Sequence, residues 1–123
     1  MADPNQASEN RLGVASAMND ATREVGAAIG IALMGSVFSD HYKSSLPALD
    51  QLPPGAAHAV ESSAAAGLDV AAHLGPQGEA LTEAVRSAFI DGLSASLIAV
   101  SIIVAVAAFG ALRYAPRTQT TPQ

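Results

Sequence analysis

Residues 92–112 read GLSASLIAVSIIVAVAAFGAL, 21 positions without one ionisable side chain. As an α-helix at ~1.5 Å per residue this stretch is roughly 31 Å long, which matches a bilayer hydrocarbon core of about 30 Å. A buried helix of a water-soluble protein is the alternative. It would need apolar partners on every face, more than a chain of 123 residues readily supplies. The stretch lies far from the N-terminus and so does not read as a cleaved signal peptide.

Working outward, a second apolar run, VGAAIGIALMGSVFS at 25–39, is 15 residues long and too short to cross alone. Extended back to Gly13 it gains an uncharged piece, residues 13–18. The helix 13–39 then reaches roughly 40 Å, with Asn19, Asp20, Arg23 and Glu24 in its first half. Charged groups at such depth are costly unless paired, facing protein, or near headgroups. The expected fold is an all-α membrane protein with two transmembrane helices joined by a long, partly helical extracytoplasmic loop. Its segments are a polar stretch 1–12, a first span 13–40, a loop 41–87 with short helices, a second span 88–113 and a disordered cytoplasmic tail 114–123.

Charge gives the orientation. Arg11, Arg23, Arg113 and Arg117 lie on the terminal sides of the spans, and Lys43 and Arg86 alone lie in the connection. Basic residues are retained in the cytoplasm, which predicts cytoplasmic termini and a multi-pass location in the plasma (inner) membrane. Tyr42 and Tyr114 follow the two runs and read as interfacial anchors. In the loop, Pro47, Pro53, Pro54, Gly55, Gly75 and Pro76 punctuate the chain. Residues 56–74 read as a surface helix broken or bent near Gly67. Residues 78–89 (GEALTEAVRSAF) read as a helix running directly into the second span.

Composition narrows the function classes. Half of the residues are hydrophobic but 27 are alanine, 14% are charged and none is cysteine. A disulfide framework, thiolate metal sites and cysteine nucleophiles are excluded. A net charge of -5 with six scattered basic residues argues against nucleic acid as a partner. His58 with Glu61, and Asp69 with His73, share helical spacings, but two such pairs make a poor metal shell. No GxSxG elbow, SxxK or phosphate-binding glycine loop occurs, so no catalytic residue and no cofactor is assigned and an enzyme is not expected.

Two features carry partner chemistry. Gly26 and Gly30 form a GxxxG spacing, with Ala32 and Gly35 among a further small-residue set. Small side chains let helix backbones approach closely in lipid, so these four residues are candidate helix-packing positions. Ala95, Ala99, Ala107, Ala108 and Ala111 give the second span a similar surface. Asn19, Asp20, Arg23 and Glu24 form a candidate intramembrane polar cluster. Asp20–Arg23 (i,i+3) and Asn19–Arg23 (i,i+4) allow local neutralisation. The cluster either handles a proton or cation, or marks the cytoplasmic mouth of the helix. Asp91 is either an interfacial acid or a relay. The expected partners are the bilayer and other transmembrane helices, from copies of this chain or a larger assembly.

The run GVASAMNDATREVGAAIGIALMGSVFSDHYKSSL at 13–46 resembles the penultimate helix of EmrB/QacA-type transporters, the fourteen-span drug:proton antiporters of the major facilitator superfamily. Gly13, Ala15, Ser16, Asn19, Arg23, Gly26, Gly30, Ala32, Gly35 and Ser36 carry the likeness, and AFIDGL at 88–93 looks like part of the final span. The resemblance covers nearly all of residues 13–115. It implies a C-terminal part of a proton-coupled multidrug exporter, with protons and hydrophobic or cationic compounds as partners only of an intact transporter. Two helices cannot enclose an alternating path, so the chain is not expected to transport alone. A stand-alone interaction or regulatory protein that oligomerises through its small-residue faces is the alternative.

Overall fold

The computed structural model describes residues 4–116 and is helical throughout its regular structure: α1 (Pro4–Ser45), α2 (Pro54–Ser62), α3 (Ala64–His73), a 3-10 turn at Gly75–Gln77, and α4 (Gly78–Tyr114). At ~1.5 Å per residue, α1 is roughly 63 Å long and α4 roughly 55 Å. Both are long and apolar enough to cross a membrane. In the most apolar 18-residue window of each, 0% of α1 and 6% of α4 is buried within the chain. A core helix of a water-soluble domain would be mostly buried, so these apolar surfaces call for lipid or further helices.

The chain divides into two units, residues up to 33 and residues from 34 onward. The first is helical from Pro4, and its described residues are exposed except for half-buried Gly30. Helix therefore begins nine residues before Gly13, within the stretch 1–12 expected to be merely polar. Pro4 suits a first helical turn because its φ is already fixed, and Gln6, Ala7, Glu9 and Arg11 that follow are good helix formers. Thr22 returns its hydroxyl to the Met18 carbonyl at 2.8 Å, so it presents no free donor on this apolar rod.

The second unit holds the core. Tyr42, Val60, Val85 and Ala88 are buried together, and Phe38, Leu46, Leu49, Leu52, Val70 and Leu81 pack around them. The loop is thus a structured cap built on the last turns of α1 and the first turns of α4. Leu46, Leu49 and Leu52 turn inward at every third position as the chain leaves α1. Residues 41–45 continue α1 and residues 78–87 belong to α4, so the segment between the two long helices is 46–77.

The break in the alanine-rich stretch falls at Ser63, not Gly67. Ser63 is extended (φ -160°, ψ 133°) and its hydroxyl accepts from the Ala66 amide as the N-cap of α3. Gly67 lies inside α3, where a Cβ would stand 3.1 Å from a Val85 methyl and 3.5 Å from the Tyr42 hydroxyl. A missing side chain here sets how closely α3 lies on α4. Gly75, at φ 63°, ends α3 in the left-handed conformation that glycine adopts freely. Gly78 starts α4 against the Ala71 backbone, where any Cβ would overlap the carbonyl.

Candidate helix-packing site

Within residues 34–116, α1 and α4 meet through two ladders of three residues each, spaced four apart. On α1 these are Met34, Phe38 and Tyr42; on α4 they are Ala88, Gly92 and Ser96, all three buried. Residues four apart share a helix face, so each ladder forms one continuous strip. A Cβ at Gly92 would lie 3.0 Å from both the Phe38 carbonyl oxygen and its ring. The backbone of α4 therefore comes against Phe38 at the position where it has no side chain. One turn on, Ser96, 1% exposed, donates its hydroxyl to the Gly92 carbonyl at 2.8 Å and to the Met34 carbonyl at 3.1 Å. Small residues plus one hydroxyl shared between two backbones is how helices associate where hydrophobic driving force is absent.

Aromatic side chains extend this contact into the cap. The Phe38 and Tyr42 rings stack with centroids 5.9 Å apart and planes 6° from parallel, and Phe89 meets Phe38 edge-on at 5.4 Å. Tyr42 is 2% exposed, and its hydroxyl donates to the Val60 carbonyl at 2.7 Å. Val60 belongs to the last turn of α2, whose carbonyls lose their helical partners where the helix stops at Ser63. Tyr42 is accordingly a buried clasp that satisfies α2, which corrects its reading as an interfacial anchor. Tyr114, at the end of α4, is exposed.

The remaining sequence-derived positions lie elsewhere. Gly26, Ala32 and Gly35 are exposed and Gly30 is half-buried. A Cβ on any of the three glycines would meet nothing within 4 Å. Asn19, Asp20, Arg23 and Glu24 are exposed on α1. Among the described residues no carboxylate stands within ion-pair distance of Arg23; an exposed contact of His73 with the Asp69 carboxylate, at 3.8 Å, lies in α3. Ala95 and Ala99 are half-buried, while Ala107, Ala108 and Ala111 are exposed. No group of three His, Asp or Glu side chains is placed to hold a metal among the described residues.

The sequence reading missed Ala88, Gly92 and Ser96. All three lie within the span expected at 88–113, and their four-residue spacing straddles Asp91, just before the uncharged run begins.

The chain is similar to the multidrug efflux pump LfrA of Mycolicibacterium smegmatis, at 30% identity over 102 residues, covering 80% of this chain and 20% of that protein. It spans about a fifth of the length of this relative. No protein-family model matches the chain, and no solved structure does. Two helices of spanning length and similarity to a membrane transporter along most of the chain together indicate a membrane location.

Proposed function

We propose that this chain is the C-terminal two-span part of a proton-coupled multidrug exporter of the EmrB/QacA type within the major facilitator superfamily, and does not transport alone. The observation that carries the reading is the similarity to an efflux pump over 80% of the chain but a fifth of the pump. The surfaces agree with it. Apart from the Ala88–Gly92–Ser96 contact and the start of α4 that packs on the cap, large apolar side chains of α1 and α4 are exposed, and Gly26, Gly30 and Gly35 have room for neighbours. Helices that evolved to pack among others carry such surplus faces. In the intact exporter, protons and hydrophobic or cationic compounds are the partners. Asn19, Asp20, Arg23 and Glu24 then either take part in proton handling or fix the depth of the helix.

A chimera tests this. The matched segment of the relative is replaced by this chain, and dye efflux is measured in cells lacking their own exporter. The chimera is expected to restore efflux to a pump inactive without that segment, and this chain alone is expected to give none. Efflux by the chain alone, or an inactive chimera present at normal level in the membrane, defeats the reading.

The open surroundings of Gly26 and Gly30 favour a second reading, a stand-alone membrane protein that self-associates through this face. Gly30→Ile separates the two. Self-association in detergent falls if the face joins copies of the chain, and stays unchanged if the chain is monomeric without its transporter.

A further inference from the structure

A groove of about 430 Å³ runs between α3 and α4, and its lining is almost wholly apolar. Ala65 and Leu68 form one wall, Phe89 and Ile90 the other, with fully buried Val85 between them. Arg86 lines the same groove, one turn before Ile90. Its side chain is exposed, and no carboxylate pairs with it among the described residues. The position matters as much as the shape. Leu93 and Leu97, four and eight residues after Phe89, are exposed on α4 and carry the apolar surface on toward the uncharged run. Arg86 lies six residues before that run, roughly 9 Å along the helix axis. The groove thus sits where α4 passes from hydrocarbon depth to headgroup depth, with its cation at the polar end.

The geometry points to an anionic phospholipid as the occupant: one acyl chain lies between α3 and α4, and the Arg86 guanidinium binds the phosphate. The apolar lining suits a hydrocarbon chain and offers a polar ligand nothing. An arginine at the rim matches a headgroup phosphate in charge and in its paired donors. A docked protein helix would instead leave Arg86 facing a segment without a stated counter-charge. The inference rests on the chain lying in lipid, not on its belonging to an exporter.

The sequence contains no tryptophan, which permits a site-specific test. The full chain carrying Ile90→Trp is reconstituted in mixed phosphatidylglycerol and phosphatidylcholine vesicles, with bromine on the acyl chains of one lipid at a time. Bromine quenches tryptophan at contact. Quenching by brominated phosphatidylglycerol is expected to reflect an apparent preference of about five-fold over phosphatidylcholine, the size one arginine near a headgroup supplies. Arg86→Gln should abolish the preference and Arg86→Lys should keep most of it. Ile102→Trp, in the middle of the uncharged run, should show none. Equal quenching by the two lipids at residue 90, a preference that survives Arg86→Gln, or a tryptophan there that neither lipid quenches, overturns the inference.

Discussion

At the scale of single residues, the glycines divide by what surrounds them. Gly26 and Gly30 sit in helix with nothing near a would-be Cβ, so alanine there should act through backbone entropy alone and raise the stability of the isolated chain by up to about 1 kcal/mol. Gly92→Ala gains the same propensity but drives a methyl against the Phe38 carbonyl. That oxygen belongs to helix backbone and cannot swing aside, so a net loss of about 1–3 kcal/mol is expected. Denaturant titration in detergent micelles, followed by circular dichroism, ranks the three variants, and a Gly92→Ala chain more stable than Gly30→Ala contradicts this packing. Tyr42→Phe is the matching test for the clasp. It keeps the stack on Phe38 but removes the donor from a buried carbonyl at the end of α2, with an expected cost of about 1–3 kcal/mol in the same titration. The sequence pointed to Gly26 and Gly30 because GxxxG is a familiar spacing. It concealed Gly92 because the partner is an aromatic residue 54 positions earlier, and periodicity along one helix carries no trace of what another helix brings.

At the scale of elements, the two long helices were legible and the cap was only partly so. An uninterrupted apolar run states its length directly, and the passage of residues 78–89 into α4 followed from the absence of any breaker. Gly75 followed by Pro76 correctly marks the end of α3, because positive φ and a missing amide are written into those residue types. Gly67 misled because glycine serves two ends, backbone freedom and close approach, and its sequence neighbours do not say which. The break at Ser63 arises from an N-cap, a signal weakened by the Ser62–Ser63 pair, since Ser62 spends its hydroxyl on the His58 carbonyl inside α2. The cap holds together through Gly67 and Gly78, so Gly67→Leu should lift α3 from α4 without touching the distant part of α4. Hydrogen exchange in micelles is expected to show faster exchange at 54–73 and unchanged exchange at 100–112. Uniform acceleration along α4 would mean that the cap is coupled to the whole helix.

At the scale of the whole molecule, helix length and charge placement together fix what can lie in lipid. Helices of roughly 63 and 55 Å both exceed a hydrocarbon core of about 30 Å, so a span built from either leaves two or more turns outside it. In α4 the surplus is at the start, where Glu79, Glu83, Arg86 and Asp91 precede the uncharged run. The cap packs on that same start of the helix, and its acids Asp50, Glu61 and Asp69 are exposed. An element so charged cannot lie deep in the hydrocarbon layer. On the proposed two-span reading it lies on one side of the membrane, and the basic residues predict which. With Arg11, Arg23, Arg113 and Arg117 toward the terminal ends of the sequence and Lys43 and Arg86 alone at the cap-side ends of the long helices, the cap is expected outside the cell. The absence of cysteine makes the test direct. Single substitutions Ser62→Cys on the cap and Ala7→Cys on the first turns of α1, both at exposed positions, are treated in intact cells with a membrane-impermeant maleimide. Ser62→Cys should label at once and Ala7→Cys only after permeabilisation. The opposite pattern would place the cap in the cytoplasm, and labelling of both in intact cells would mean that α1 does not cross. Either result would remove the penultimate-span role from residues 13–40 while leaving the Phe38–Gly92 contact untouched.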